Sequence, residues 1–389
     1  VNPKLHTEFE KWLNDNLGFR EKLVAVNAFA QYNLFDKLTI KDVVLGKDKW
    51  LYRMSSGRWK VYQNIELPNE AKLRFYSDKF GQLKNYFAQK NIPFLLMICP
   101  DKETIYPEYM PDTIIKNGNV SQTDLIMDHL SRNTNIDVFF LKNSLLQAKE
   151  KATVYSQNFD TSHWNDYGAF IGYLELMRRI KKIYPDIRIL SWNDLAIQPE
   201  KRHWKMQGMI PFEEKHYPFK STKQYAAVEE QGGVIDHLNL THSHVAHRYI
   251  NKNSSLPKIL ISGDSFIYMF MLPYLSESFS EVTFIHWVNM EHIKSYVNLF
   301  KPDVFVLEFI EPGIEQFTDR ISYQSDYFTD NYGAYNNLPI VSNSGENLTM
   351  WLDYCNNKLV ETPGKIIINR TDNVNLMGWA VDQLADSGA

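Results

Sequence analysis

Two short motifs contain the residue types that nucleophilic acyl transfer requires. Ser265 follows Gly263-Asp264, and His163 follows Asp160 by three residues. A serine hydroxyl becomes a good nucleophile when a histidine takes its proton, and a carboxylate on the other ring nitrogen fixes the histidine tautomer. The motifs therefore predict a catalytic site with Ser265 as nucleophile, His163 as general base and Asp160 as the orienting carboxylate.

The elements around Ser265 are suited to this role. The apolar run 258–262 predicts a strand, residues 265–275 predict a helix, and Gly263 permits a tight turn between them. A serine at such a junction lies at the carboxyl edge of a sheet, and its own backbone N–H can stabilise a developing oxyanion. The sequence assigns no second oxyanion donor. The alternative for an isolated Asp-Ser pair is a simple helix N-cap.

The second motif enters a helix predicted over residues 167–183. The alternative here is that Asp160 or Thr161 caps this helix and that His163 packs locally. Because both motifs precede helices in one α/β pattern, we expect their side chains to meet at the same edge of the sheet. The elbow G-x-S-x-G is absent from the Ser265 motif, so the α/β-hydrolase fold is not predicted.

The rest of the chain shows alternating helical and strand-like segments. Helical periodicity covers 70–89, 121–132, 143–150 and 290–300, and apolar strand-like runs cover 92–99, 136–141, 282–287 and 303–309. This alternation predicts an α/β fold with a mostly parallel sheet between helical layers. We predict a helical lead-in at 1–67, a catalytic domain at 68–320 with an insertion at about 186–256, and a tail at 321–389 that begins a β-rich domain, with strands at 365–370 and 374–382.

Composition excludes several classes of protein. The net charge of −4 argues against a nucleic-acid-binding protein, and no stretch reaches the ~20 apolar residues of a membrane span. Two cysteines, Cys99 and Cys355, are too few for a disulfide framework, and the sequence does not show whether they pair. Since the chain starts at Val1, we expect a targeting segment before it, and we expect further chain after Ala389.

The paired motifs resemble those of the SGNH/GDSL superfamily, whose signature is GDS at a strand–helix junction with DxxH elsewhere. Most members carry GDS first, whereas here Asp160-Thr-Ser-His163 precedes Gly263-Asp-Ser265. This permuted order resembles the alginate O-acetyltransferase branch, including the DHHW-type proteins. So do the segments 9–20, 46–52 and 301–308. That branch usually places the Asp two residues before the His, and this chain departs from it with a spacing of three.

The resemblance implies an SGNH-like three-layer fold and an O-acetyltransferase that acts on an exported or cell-surface polysaccharide through an acetyl-serine. It implies no cofactor, an extracytoplasmic location, and a membrane acyltransferase that supplies acetyl groups. Two alternatives stay open: a carbohydrate acetyl esterase with the same triad, and a non-catalytic glycan-binding or assembly protein on this scaffold. Trp164 is a candidate for stacking on the glycan.

Two further clusters carry weaker signals. His237, His242, His244 and His247 have spacings that zinc sites use, but no cysteine lies nearby and we expect no metal. Glu308 and Glu311 follow a predicted strand and suggest the paired carboxylates of a glycosidase. Helix-cap or surface roles are favoured for these two residues.

Overall fold

The computed structural model describes residues 18–322, apart from 207–209, 223–226, 232–234, 236–237, 239, 243–244 and 254, together with residues 8, 11–12 and three later strands. Its helices in chain order are α1 Arg20–Phe35, α2 Ser56–Tyr62, α3 Glu70–Gln89, α4 Lys102–Ile105, α5 Gln122–Asn133, α6 Lys142–Lys149, α7 Asp166–Ile183, α8 Ser265–Tyr268, α9 Leu272–Ser276, α10 Ile293–Phe300 and α11 Gly313–Ser322. Short 3-10 turns lie at Lys47–Lys49, Pro107–Tyr109, Trp192–Asp194 and Trp287–His292.

The strands form one large sheet and several small ones. In chain order they are β1 Val43–Leu45, β2 Leu51–Arg53, β3 Phe94–Cys99, β4 Asp137–Phe140, β5 Leu195–Ile197, β6 Glu200–Met206, β7 Ile210–His216, β8 Phe219–Ser221, β9 Ala227–Glu229, β10 His247–Asn251, β11 Lys258–Gly263, β12 Glu281–His286, β13 Val304–Ile310, β14 Leu348–Cys355, β15 Lys358–Leu359 and β16 Leu376–Asp382. The large sheet has the order β4-β3-β13-β11-β12-β10-β9.

The central sheet is mostly parallel, as the sequence predicts. The neighbours from β4 to β12 run parallel, and β10 and β9 add an antiparallel edge. All six residues of β3 are buried. Its alternate side chains belong to two different apolar clusters, Leu95, Met97 and Cys99 to one and Phe94, Leu96 and Ile98 to the other. Since successive side chains of a strand point to opposite faces, helices cover the sheet on both faces and the fold has three layers.

One predicted helix is divided in the structure. Residues 265–275 form two short helices, α8 and α9, rather than one. Pro273 explains the break, because a proline has no N–H to donate to the carbonyl four residues earlier and its ring clashes with that turn. The division leaves Ser265 at the start of a single helical turn.

Residues 186–256, predicted as an insertion, contain the strands β5 to β10. β6 pairs with β7 as an antiparallel hairpin, β5 pairs with β8, and β9 and β10 extend the central sheet. Burial alternates along β7, so that one face of this strand packs against the body of the protein. The insertion therefore contacts the elements that carry the predicted catalytic residues.

The tail has a small antiparallel sheet in which β14 lies between β15 and β16. The predicted strand at 365–370 lies outside the described residues. Cys99 is a free, buried thiol, and burial raises its pKa. Across the described part of the chain, every helix falls short of the length and apolar character needed to cross a bilayer.

Candidate active site

Ser265 lies in a turn, residues 262–268, which we call the nucleophile turn. Ser265 is the first residue of α8 and lies two residues after the end of β11, so its N–H has no intrahelical acceptor. Asp264 caps the helix: its Oδ1 accepts the N–H of Phe266 at 3.0 Å, and its Oδ2 accepts the N–H of Ile310 at 3.1 Å. The carboxylate before the serine thus fixes the turn to the end of the neighbouring strand β13.

Glu308 of β13 also holds the nucleophile turn in place. Its Oε2 accepts the N–H of Asp264 at 2.9 Å, and its side chain is fully buried. Burial, together with the charge of Asp264, raises the pKa of Glu308 well above its usual value. A Cβ at position 263 would lie 2.7 Å from this carboxyl oxygen, so the approach of Glu308 to the turn requires Gly263.

His163 lies in residues 154–165, which we call the base loop. A β-bridge between Tyr155 and Trp164 closes this loop, and the N–H of Ser156 donates to the carbonyl of His163 at 3.3 Å. Asn165 then caps α7 by accepting the N–H of Gly168 at 3.0 Å. The two ends of the base loop are therefore joined to each other, and this closure fixes the backbone position of His163.

Asp160 orients His163 through both carboxylate oxygens. Oδ1 accepts the backbone N–H groups of Ser162 and His163 at 2.8 and 2.9 Å, and Oδ2 is 2.8 Å from His163 Nδ1. Burial alone would raise the pKa of Asp160, but the hydrogen bonds and charge of His163 outweigh it and hold this pKa well below its usual value. The hydrogen bonds to Oδ1 fold residues 160–163 into a tight turn. This turn brings the Asp160 carboxylate to the ring of His163, three residues later.

The two motifs meet. Nε2 of His163 is 2.7 Å from Oγ of Ser265, although the residues are 102 positions apart. With a proton on Nδ1 toward Asp160, Nε2 keeps a lone pair that can accept the Ser265 proton. The His163 side chain is 15% exposed and that of Asp160 is 28% exposed, so the site is partly open to solvent. The arrangement has the geometry of a nucleophile, a base and an orienting carboxylate.

The suggestion that Trp164 stacks on a glycan is corrected by the structure. Trp164 is fully buried, packs on Phe266 with ring centroids 4.9 Å apart, and donates from Nε1 to the carbonyl of Phe266 at 3.2 Å. Gly172 leaves room for the indole. Trp164 therefore joins the base loop to the nucleophile turn and has no surface left for a ligand.

Two buried charged residues hold the base loop in place, and sequence reasoning missed both. Lys102 Nζ donates to the carbonyls of Leu51, Gln157 and Asp160 at 2.8, 3.2 and 2.8 Å. Burial lowers the pKa of Lys102 to about 7. The only local signal for Lys102 is its position three residues after the end of β3.

Glu214 of β7 is the second of these residues. Its Oε2 accepts from Ser156 Oγ, Asn158 N and Phe159 N at 2.8, 2.9 and 2.8 Å. Ser156 Oγ in turn accepts the N–H of Asp160 at 2.9 Å. The insertion thus holds the segment before Asp160, and nothing in the sequence signals this contact.

A buried charge network lies beside the nucleophile turn. Arg58 Nη1 is 3.0 Å from Asp101 Oδ1, and the N–H of Asp101 donates to Glu311 Oε2 at 2.7 Å. Burial, reinforced by the charge of Asp101, raises the pKa of Glu311 to about 7. Glu308 and Glu311 are both enclosed, so the expected surface role is wrong. Each instead accepts the backbone N–H of the residue before a helix, Asp264 before α8 and Asp101 before α4.

The histidine segment has no metal site among the described residues, where no group of three or more suitable side chains converges. His237 and His244 lie outside the described residues. His242 packs against the ring of His286, and His247 Nδ1 is 2.5 Å from Glu229 Oε1.

Residues 43–238 match the model of a protein family described as the SGNH hydrolase-like domain of the acetyltransferase AlgX. The match covers half of the chain and includes Asp160 and His163. The chain belongs to this family. The resemblance inferred from the motifs and the SGNH-like fold are thereby confirmed, and the chain is an acetyltransferase-type SGNH protein. No curated protein sequence matches it.

Two solved structures of Bacillus cereus PatB1 share the fold at low sequence identity. Bacillus cereus PatB1 is 15% identical with a TM-score of 0.52, over 70% of this chain and 96% of that one. PatB1 with a sulfonyl adduct gives 14% and 0.51, over 70% and 97%. The O-acetyltransferase domain of Pseudomonas putida AlgJ gives 15% and 0.47, over 74% and 96%.

Proposed function

We propose that this protein is a polysaccharide O-acetyltransferase that works through an acetyl-enzyme on Ser265. The single observation that carries the proposal is the position of His163, whose ring nitrogens lie 2.7 Å from Ser265 Oγ and 2.8 Å from Asp160 Oδ2. Membership of an acetyltransferase family supports acetyl as the group transferred.

The first half-reaction acylates the enzyme. Ser265 Oγ attacks the acetyl carbonyl of a donor while His163 Nε2 takes the hydroxyl proton. The tetrahedral oxyanion is stabilised by the N–H of Ser265 at the start of α8. The imidazolium then protonates the departing group as its bond to the acetyl carbon breaks, which leaves acetyl-Ser265 and neutral His163.

The second half-reaction transfers the acetyl group. A sugar hydroxyl enters where the leaving group was, loses its proton to His163 Nε2 and attacks the acetyl-Ser265 carbonyl. The collapsing intermediate releases Ser265 Oγ, which takes the proton back. Asp160 stays ionised in both half-reactions and stabilises the imidazolium each time it forms.

By analogy with the family, the proposal includes a location outside the cytoplasm, a cell-surface or exported polysaccharide as acceptor, and an integral-membrane acyltransferase as acetyl supplier. No cofactor takes part in the chemistry described. A carbohydrate esterase would share the first half-reaction and differ only in using water in the second.

Product analysis separates transfer from hydrolysis. The protein is incubated with p-nitrophenyl acetate and oligosaccharides, and acetylated sugar and free acetate are quantified for the wild type and for Ser265→Ala. We expect Ser265-dependent acetylated oligosaccharide. Ser265-dependent acetate with no acetylated sugar would assign an esterase instead, and sugar binding without any Ser265-dependent turnover would assign a non-catalytic glycan-binding protein.

A further inference from the structure

A groove of about 680 Å³ lies between the helical layer and the insertion. One wall comes from α6 and α7, and the other comes from residues 192–219 of the insertion. The volume lies within the roughly 300–1,000 Å³ of typical ligand pockets. None of Ser265, His163 and Asp160 lines the groove, so it is separate from the acylation site.

Partly exposed aromatic rings line the insertion side. Trp192 is 43% exposed and Tyr217 is 45% exposed, so both rings are accessible from the groove. Trp192 is nevertheless held in place, since it packs edge-on against Phe170 at 4.6 Å and Phe219 at 5.9 Å. Tyr167 also packs on Trp192, with ring centroids 5.4 Å apart. The part of this fixed ring that stays exposed is suited to stacking on the C–H face of a pyranose, at little cost in side-chain entropy.

Polar side chains face the same space from the helical wall. Gln147 and Arg178 offer donors and acceptors beside the rings, with Lys151 and Glu150 at the same groove. The amide of Asn165 is already used, since it donates to the carbonyl of Thr153 and accepts the N–H of Gly168. Rings flanked by amide and charged groups suit a ligand that is apolar on its ring faces and hydroxylated around its edge. A lipid would use the rings and leave these polar groups unpaired.

The groove leads away from the catalytic base. Asn165, which lines it, is two residues after His163, a span of about 7 Å in extended chain. From there Tyr167, Leu174 and Arg178 follow one face of α7, and the eleven helical steps from Tyr167 to Arg178 span about 16 Å. A polysaccharide in the groove would continue toward His163.

We propose that this groove, which we call the α7 groove, binds a segment of the acceptor polysaccharide several sugars away from the hydroxyl that is acetylated. The proposal rests on the proposed function for the identity of the acceptor. The proposal assigns to the insertion a role in binding the polysaccharide. Affinity for the glycan and acylation of Ser265 then depend on different residues.

Calorimetric titration tests this assignment. The probes are cellohexaose, chitohexaose and a hexagalacturonate, titrated into the wild type, Ser265→Ala and the double variant Trp192→Ala/Tyr217→Ala. Phe35→Ala is the matched control, because Phe35 is a 68% exposed ring on α1, outside the groove. We expect at least one probe to bind wild type, Ser265→Ala and Phe35→Ala equally, and to bind the double variant at least tenfold more weakly.

Acylation of Ser265 by p-nitrophenyl acetate is measured on the same proteins. We expect the groove variants to acylate at the wild-type rate, which also shows that they are folded. If the double variant is misfolded, Tyr217→Ala alone replaces it, because among the described residues Tyr217 packs against no other aromatic ring. A Tyr217→Ala affinity within twofold of the wild type would then overturn the assignment.

The two proposals fail in different ways. Glycan binding that the double variant retains, or no binding of any probe to the wild type, would overturn the α7 groove while leaving the acyl chemistry intact. Binding of detergent micelles in place of every oligosaccharide would overturn it as well. Groove-dependent glycan binding in a protein whose Ser265 never becomes acetylated would support the groove and overturn the proposed function.

Discussion

The nucleophile turn and the base loop are held by different parts of the molecule. The turn is fixed by its own sheet, since Asp264 bonds to Ile310 and Glu308 on the neighbouring strand β13. The base loop is fixed from outside, by Lys102 and by Glu214 of the insertion. A parallel sheet therefore positions the serine directly, whereas the histidine depends on contacts from Lys102 and from the insertion.

The largest effect should come from removing the charge that orients the base. Asp160→Asn keeps the size of the side chain but cannot stabilise the imidazolium, and it favours the wrong tautomer of His163. We expect kcat for ester turnover to fall roughly 10⁴-fold. The exposed Asp186→Asn is the control, and a loss of less than tenfold in Asp160→Asn would contradict the assigned role.

A smaller loss should follow when the outside support of the base loop is removed. Glu214→Ala leaves Ser156 Oγ and the N–H groups of Asn158 and Phe159 without their acceptor, so Asp160 and His163 shift relative to Ser265. We expect kcat to fall about 10–100-fold with KM for a small ester nearly unchanged, because displacements near 1 Å have effects of this size. Glu214→Gln should recover part of the loss.

Glu213 provides the matched control for Glu214. It lies on the same strand but points outward, with 68% of its side chain exposed. Glu213→Ala should therefore keep wild-type kcat. Equal kcat values for the Glu213 and Glu214 variants would show that the insertion does not position the base loop.

Much of the architecture follows from the sequence because local patterns determine it. The helical period over 70–89 gives α3 with the same bounds, and the apolar run ending at Cys99 gives β3. Ser265 follows the end of the parallel strand β11, and the loop between α6 and α7 carries Asp160 and His163 to the same place, as the paired motifs predict. The division of the predicted helix 265–275 could also have been predicted from the sequence, because Pro273 interrupts a helix.

The supports of the base loop could not be predicted, because they depend on contacts between distant segments. Glu214 occupies an inward position of β7, where the alternation Ile210, Phe212, Glu214 predicts burial but not a partner 55 residues away. Trp164 looked like a ligand contact and is a core residue. Burial of an indole depends on the space left by Gly172, which no local pattern shows.

The smallest expected effect comes from Glu311, in the buried charge network beside the nucleophile turn. It is a dependence of the free energy of unfolding on pH. Burial raises the folded-state pKa of Glu311 from 4.5 to about 7. The stability that Glu311 contributes is therefore fully present below pH 4.5 and is lost as the pH rises through 7. Glu311→Gln is neutral at every pH and lacks this loss.

Urea unfolding between pH 4.5 and 8 measures the difference. We expect the unfolding free energy of the wild type to fall more steeply with rising pH than that of Glu311→Gln, by about 1–3 kcal/mol over this range. Parallel pH profiles for the two proteins would show that Glu311 is already ionised at pH 4.5.

The central claim is that His163 activates Ser265 to form an acetyl-enzyme. Intact-protein mass spectrometry after brief incubation with p-nitrophenyl acetate tests it most directly, with Ser265→Ala and His163→Ala beside the wild type. We expect one added acetyl group on the wild type, located at Ser265 by peptide mapping, and none on either variant. An unmodified wild type with no ester turnover, or an acetyl group that persists in Ser265→Ala, would contradict it.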